Sequence, residues 1–128
     1  MKLLLDTHVV IWALVGSPRL SQRVRALLED RRTELAVSAV TIMEIFSKHR
    51  IGKLPEGDTI TRGLDGYLQR LDASVLAISE AHARLAGSIL SPHRDPFDRF
   101  IAAQCIIEGI PLLSRDAAFP SLGVQPIW

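Results

Sequence analysis

Residues 93–99 read HRDPFDR, so that two aspartates flank a Pro-Phe pair directly ahead of the apolar segment 100–107. Proline is favoured at the first position of a helix, where its missing N–H has no partner to lose. The pattern therefore predicts a helix with Asp95 as its N-cap and Asp98 in its first turn. Capping and the positive end of the helix dipole explain both carboxylates at this point. Whether either acid does chemistry depends on what else lies beside it.

Three other acids lie at or just beyond the ends of short apolar runs. They are Asp6 after the run 3–5, Glu44 early in the helix that follows the run 35–37, and Asp116 just past the run 112–113. Taken singly, each has an ordinary explanation, as a helix cap, an exposed helix residue or a turn residue. These explanations do not account for the fact that all of these acids lie at or beyond the ends of apolar runs. Their common placement favours one shared functional site.

The apolar runs alternate with segments of helical periodicity, and these elements must position the acids. Strands are predicted at 3–5, 35–37, 75–78 and 111–114, with a further short strand at 124–127. Helices are predicted at 8–15, 22–31, 41–50, 58–71, 80–90 and 96–108, with Thr7, Ser21, Ser79 and Asp95 among their N-caps. The third helix is expected to bury Ile42, Ile45 and Phe46 and to keep Glu44 off its apolar face.

Strands alternating with helices favour an α/β fold with a mostly parallel central sheet covered by helices on both faces. In such sheets, ligands bind outside the carboxyl ends of the strands. Asp6, Glu44, Asp98 and Asp116 are therefore expected to converge at one edge of the sheet, within a single domain that covers residues 1–128.

Four carboxylates brought together repel one another and raise each other's pKa values unless a cation lies among them. Ligands that are all oxygen suit Mg²⁺ or Mn²⁺, and such an ion polarises a phosphoryl oxygen and lowers the pKa of bound water. The cluster therefore predicts a metal-dependent phosphodiester hydrolase. The helix terminus and the cation together are expected to keep the pKa of Asp98 low.

Composition excludes several other classes of protein. Fifteen basic and 14 acidic residues leave no global basic field, so that any nucleic acid must be bound by a local patch. A single cysteine, Cys105, forms no internal disulfide and is expected to be a buried, inert thiol, as in a reducing cytoplasm. The apolar start is too short for a signal peptide, and no apolar run approaches the length of a membrane span.

Four segments in register resemble a PIN-domain ribonuclease, and closely a VapC-type toxin of a toxin–antitoxin pair. The segments are residues 4–8 (LLDTH), 37–45 (VSAVTIMEI), 93–104 (HRDPFDRFIAAQ) and 112–116 (LLSRD). The resemblance implies a three-layer α/β/α sandwich, dependence on Mg²⁺ or Mn²⁺, and endonucleolytic cleavage of RNA. It also implies a homodimer and a small DNA-binding antitoxin whose C-terminal part blocks the active site.

Carried over residue by residue, the family's acids match Asp6, Glu44, Asp98 and Asp116. Asp6 and Asp98 are the expected metal ligands, and Glu44 and Asp116 complete the pocket. Three further residues are expected to hold these acids in position: Thr7, Ser114 and Asp95. The implied nucleophile is a water activated by the metal.

An RNA backbone needs cations beside an acidic pocket. Candidates are Lys48, Arg50, Arg99 and Arg115, of which the last two adjoin proposed site acids. Aromatic residues make up only 5% of the chain, so an extensive surface for stacking bases is not expected. His8 and His93 lie near the site in sequence and are expected to serve in packing or hydrogen bonding.

Two alternatives stay open at this point. An α/β phosphohydrolase would use Asp6 as a nucleophile, but it would typically have a second acid two residues later, where His8 stands, and a lysine near the late acids, where none occurs. A catalytically idle PIN-like binding module is the other alternative. The presence of all four acids argues against it.

Overall fold

Four short parallel strands form the centre of the chain in the computed structural model, which describes residues 1–128. They are β1 (Lys2–Leu5), β2 (Glu34–Ser38), β3 (Ser74–Leu76) and β4 (Leu112–Leu113). Their order in the sheet is β3-β2-β1-β4, so that β1 pairs with β2 on one side and with β4 on the other. The predicted parallel sheet is confirmed.

Six α-helices and one 3₁₀-helix surround the sheet. They are α1 (Thr7–Leu14), α2 (Gln22–Glu29), α3 (Ala39–Arg50), α4 (Gly57–Arg70), α5 (Glu80–Ser88) and α6 (Pro96–Glu108), followed by the 3₁₀-helix Phe119–Leu122. Three of the predicted caps are in place: Ser21, Ser79 and Asp95 each accept a hydrogen bond from a backbone N–H in the first turn of their helix. None of the helices is long and apolar enough to cross a membrane.

The strand residues of β1 alternate between two separate apolar cores. Leu3 and Leu5 pack with Val10 of α1 and Leu64 of α4 on one face of the sheet, and Leu4 packs with a second cluster on the other face. That second cluster includes Ile101 of α6 and Phe119. All three leucines are fully buried, which stabilises the fold by about 1.5–3 kcal/mol each. Helices on both faces confirm the α/β/α sandwich.

The predicted strand at 124–127 is wrong in extent. It is reduced to a single parallel bridge between Leu113 and Ile127, and the chain ahead of it forms the 3₁₀-helix instead. The third strand also ends earlier than expected, at Leu76. Beyond it, the side-chain amide of Gln104 donates to the carbonyl of Ala77 at 3.2 Å, which provides that carbonyl with a partner outside the sheet.

The face that α3 buries differs from the expected one. Val40, Thr41, Glu44 and Ile45 are buried, whereas Phe46 is 48% exposed. The apolar pattern misplaced this face because two of its four buried residues are polar. Buried polar side chains normally have hydrogen-bond partners, and the partners of Thr41 and Glu44 lie in the candidate site.

Candidate active site

Asp6 lies where β1 ends and serves as the N-cap of α1. One carboxylate oxygen, Oδ1, accepts a hydrogen bond from the Thr7 N–H at 2.7 Å, and the other, Oδ2, accepts one from the Ser114 hydroxyl at 2.8 Å. The side chain is almost fully buried. Burial raises the pKa of Asp6 above its usual value even though both hydrogen bonds act in the opposite direction.

Thr7 was expected to cap α1, and this prediction is wrong, because Asp6 holds that position. The Thr7 hydroxyl instead lies 3.0 Å from the hydroxyl of Thr41, and both residues are buried. This hydrogen bond joins the start of α1 to the first turn of α3. Sequence reasoning did not single out Thr41 as a partner, because nothing local relates two threonines that are 34 positions apart.

Glu44 faces inward from α3 and is 4% exposed. Its Oε2 lies 2.6 Å from the ammonium of Lys48, one helical turn later. Glu44 is thus the one member of the four acids that has a lysine or arginine partner. The same ion pair occupies the ammonium of Lys48, which was predicted to contact RNA.

Asp98 lies in the first turn of α6 and is buried. Its Oδ2 is 2.8 Å from Nε2 of His93, a hydrogen bond in which the imidazole N–H donates to the carboxylate. Asp95 caps the helix as predicted, and its Oδ1 accepts from the Phe97 N–H at 2.9 Å. The two aspartates therefore differ in role, since Asp95 holds the helix start and leaves Asp98 turned toward the other acids.

The expected low pKa of Asp98 includes the effect of a bound cation, and without the cation the pKa of this carboxyl is raised. The pKa of Asp98 is about 6: burial raises it most, the hydrogen bond from His93 lowers it, and the nearby carboxylates of Asp95, Asp6 and Asp116 also raise it. The loss of hydration is thus the largest effect on this pKa. A low pKa at this position requires a cation beside the carboxylate.

Asp116 follows β4 and is half-buried. Its backbone N–H donates to the Ser114 hydroxyl at 3.0 Å, and its Oδ1 accepts from the Ala118 N–H at 2.9 Å, which forms a tight turn. Because the same hydroxyl also donates to Asp6, Ser114 connects the ends of two neighbouring strands. Ser114 is fully buried.

All four acids lie close enough to influence one another's charge. The carboxylate of Glu44 raises the pKa of Asp6, and those of Asp6 and Asp116 raise the pKa of Asp98. Asp6 and Asp116 follow the neighbouring strands β1 and β4, and Glu44 lies on the helix that follows β2, so these acids lie at the carboxyl edge of the sheet as expected. Three of the four carboxylates are buried, the pKa values of Asp6 and Asp98 are raised, and only Glu44 is paired with a lysine. Such a set of oxygen donors fits a hard divalent cation such as Mg²⁺ or Mn²⁺. The single thiol does not join the set, because burial raises the pKa of Cys105 to about 12.

A second group of donors lies at the start of α6. His93, Asp95 and Asp98 each offer one ligand atom, and these atoms lie within 4.8 Å of one another. Asp98 is common to both groups. In this second group, Asp95 and His93 are each engaged in a hydrogen bond that supports α6 or Asp98.

Arg99 was predicted to contact RNA, whereas in the structure its guanidinium forms hydrogen bonds within the protein. The guanidinium donates to the backbone carbonyls of Ala86 at 2.7 Å, His93 at 2.8 Å and Ile89. These bonds tie α6 to the end of α5 and to the segment that carries His93. Each of the three guanidinium nitrogens thus donates within the protein, so Arg99 is a positioning residue for this segment.

The two other predicted cations differ from each other. Arg50 is exposed at the last position of α3, six residues after Glu44, about 9 Å along the helix axis. Arg115 lies next to Asp116, with its guanidinium 4.9 Å from the ring centre of Trp12 and 6.0 Å from that of Trp128. Sequence reasoning missed both tryptophans, because their approach depends on tertiary structure.

The chain belongs to the PIN domain family, whose sequence model matches residues 3–124. This confirms the family that the four sequence segments indicated. A comparison with curated proteins found no significant match.

Solved structures share the fold at low sequence identity. VapBC2 from Rickettsia felis, bound to a DNA fragment from its promoter, has a chain that superposes with a TM-score of 0.70 at 17% identity, covering 95% of this chain and 93% of that chain. FitAcB from Neisseria gonorrhoeae superposes with a TM-score of 0.67 at 22% identity, covering 98% and 96%. FitAB bound to an IR36 DNA fragment gives 0.66 at 22% identity, covering 98% and 93%.

Proposed function

We propose that this PIN domain is a divalent-metal-dependent endoribonuclease and the toxin of a type II toxin–antitoxin pair in the cytoplasm. The observation that supports this most is the set of four acids at the carboxyl end of β1, of which three have no lysine or arginine partner. Such a set is costly to bury without a cation and is suited to one.

Asp6 and Asp98 are the residues that would hold Mg²⁺ or Mn²⁺, with Asp116 beside them. Glu44 is a weaker candidate ligand than these, because the ammonium of Lys48 already balances its charge. When bound, the cation would supply an acidified water and charge stabilisation at the phosphoryl oxygens. Ser114 orients Asp6, and Asp95 fixes the helix from which Asp98 projects.

The partners of the proposed toxin are RNA, a second copy of the chain and a small DNA-binding antitoxin. The structural neighbours support the antitoxin, since their chains come from VapBC and FitAB complexes. A groove of about 450 Å³ next to the site is suited to an extended peptide segment. It shares His8, Trp12 and Arg19 with the cavity at Asp6 and continues past Lys48 to Leu54. A segment lying there would cover the approach to the acids.

Cleavage of RNA by the purified chain tests the proposal. Wild-type protein with Mg²⁺ or Mn²⁺ is expected to cut single-stranded RNA internally, and Asp6→Asn is expected to lose at least about a thousandfold of that activity, because it removes a charged metal ligand. Asp65→Asn, which changes an exposed acid on α4, is the matched control and should cut like the wild type.

Full activity of Asp6→Asn, or of wild-type protein in excess chelator, would overturn the metal mechanism. The phosphoaspartate alternative is disfavoured by the sequence, because His8 stands where such enzymes typically have a second acid and no lysine lies near the late acids. An idle binding module would show no cleavage with either metal.

A further inference from the structure

A cavity of about 320 Å³ opens directly beside two of the candidate site acids. Six residues line it: Asp6, His8, Trp12, Arg19, Arg115 and Asp116. Two carboxylates thus form one part of its wall, and two guanidiniums and two aromatic rings form the rest. A volume of this size lies at the lower end of the range for small-molecule sites.

Trp12 is the centre of the aromatic part of this cavity. The imidazole of His8, one helical turn earlier on α1, lies with its ring centre 5.6 Å away, and the indole of Trp128 makes an edge-on contact at 5.9 Å. Edge-on contact at this distance is favourable for aromatic pairs and fixes the orientation of the Trp12 ring. Trp12 is only partly buried, so part of its indole is open to the cavity.

Two exposed arginines flank the same ring. The guanidinium carbon of Arg115 lies 4.9 Å from the ring centre of Trp12, and that of Arg19 lies 5.8 Å from it. Neither arginine forms an ion pair with a carboxylate. Their positive charges are held at the cavity by the indole, and they are free to bind an anion.

A nucleotide offers the two chemical groups that match these walls. Bases stack on aromatic rings whatever their sequence, and phosphates bind arginine. Because Asp6 and Asp116 lie in the same wall, a nucleotide placed here is next to the proposed cleavage site.

We propose that this cavity is a nucleotide subsite, in which Trp12 stacks against one base of the RNA and Arg19 and Arg115 hold its flanking phosphates. The proposal rests on the proposed function, since it names a substrate contact for that site. It assigns Trp12 and Arg115 to substrate binding and position rather than to the chemistry of bond cleavage.

Equilibrium binding separates this role from cleavage. The parent protein is the full chain with Asp6→Asn, kept in chelator, and the probe is an end-labelled oligoadenylate of about eight nucleotides read by fluorescence anisotropy. Trp12→Leu is expected to weaken binding about tenfold, and Trp12→Phe, which retains a ring, is expected to retain most of it. The chain has two tryptophans, both in this cluster, so binding to the parent should also quench its intrinsic fluorescence.

The arginines have a sharper test, which does not depend on the stability of the core. Arg115→Gln changes an exposed side chain and is expected to weaken binding and to reduce the slope of log Kd against log salt concentration by about 0.7, the value for one phosphate contact on a single strand. Arg70→Gln is the matched control, because Arg70 stacks at 5.3 Å on Tyr67 of α4, away from the site acids. It should leave both the affinity and the slope unchanged.

Unchanged affinity in Arg115→Gln and in folded Trp12→Leu would overturn the subsite. Loss of antitoxin binding in these variants with no loss of RNA binding would also overturn it and assign the cavity to the partner. The proposed function fails separately: if wild-type protein does not cut RNA while the parent still binds it through Trp12 and Arg115, the chain is an RNA-binding module with this subsite. If wild-type protein cuts RNA and the variants bind normally, only the subsite is wrong.

Discussion

Asp6 and Asp98 are both buried and both have raised pKa values, yet the protein supports them in different ways. Asp6 ends a central strand, and its two oxygens accept bonds from its neighbour's backbone and from Ser114 at the end of the adjacent strand. Asp98 projects from a helix and accepts one side-chain bond, from His93 in the preceding loop. The strand-borne acid is thus placed by the sheet, and the helix-borne acid depends on how well that loop is held.

Arg99 is the residue that holds the loop. Its guanidinium binds the carbonyls of His93, Ile89 and Ala86, and so connects the start of α6 to the loop and to the end of α5. The position of Asp98 depends on this loop, whereas the position of Asp6 is fixed by the sheet. Substitutions away from the site should therefore disturb Asp98 more than Asp6, and this difference can be measured.

Among the substitutions that test this difference between the two acids, Arg99→Gln should produce the largest effect. Arg99→Gln removes the bonds to the loop, and we expect kcat for RNA cleavage to fall about a hundredfold, since a displacement of about 1 Å at a catalytic group has that cost. KM should change little, because Arg99 does not contact the substrate. Arg84→Gln, on the exposed side of α5, is the control. If Arg99→Gln raised KM and left kcat intact, Arg99 would bind RNA after all.

A substitution at Asp98 should change the pH dependence of folding. The pKa of Asp98 is about 6 in the folded protein and near 4 in the unfolded chain, so the folded state binds the proton more tightly. Asp98 therefore contributes its full share to the free energy of unfolding below about pH 4, where it is protonated in both states. This contribution is lost as the pH rises through 6 and the buried carboxyl ionises. In chelator at pH 7.5, Asp98→Asn should be more stable than wild type by about 2 kcal/mol, after allowance for solvent screening.

Urea unfolding at several pH values checks this expectation. The difference between the two proteins should shrink as the pH falls toward 4. Added Mg²⁺ or Mn²⁺ should stabilise the wild type and not Asp98→Asn, because the ion binds the folded state through this carboxylate. A wild type more stable than Asp98→Asn at pH 7.5 in chelator would contradict the raised pKa.

The smallest effect is expected at Ser114, because Asp6 keeps its bond from Thr7 when the hydroxyl is lost. Ser114→Ala should weaken the affinity for the divalent ion about tenfold, the lower end of the range for residues that orient a metal ligand. Isothermal titration with Mn²⁺ measures it, with Ser74→Ala, at the exposed start of β3, as the control. An effect as large as that of Arg99→Gln would mean that the sheet does not place Asp6 by itself.

The parts of the fold that could be predicted are those that local chemistry determines. The wholly apolar runs at 3–5 and 35–37 identified buried parallel strands, and Ser21, Ser79 and Asp95 identified helix starts. The rule that ligands bind at the carboxyl ends of strands then brought four distant acids together. These inferences need only the sequence and the geometry of a parallel sheet.

The rest depended on contacts between distant parts of the chain. Glu44 lies on the buried face of α3 because its surroundings are polar, and the apolar pattern cannot show this. The guanidinium of Arg99 is near a site acid in sequence, but carbonyls of another helix and a loop engage it. Trp128 approaches Trp12 from a position more than a hundred residues away. The raised pKa of Asp98 likewise follows from burial, which only the packed structure defines.

The bond between Ser114 and Asp6 has a consequence for the synthesis of the protein. These residues are 108 positions apart, so Asp6 and Glu44 are synthesised well before Ser114 and Asp116. Until residues 112–116 have emerged and β4 has paired with β1, the pocket lacks an acid and the hydroxyl that orients another. For the proposed ribonuclease, this order of events delays the cutting of RNA until translation has passed the last of the four acids.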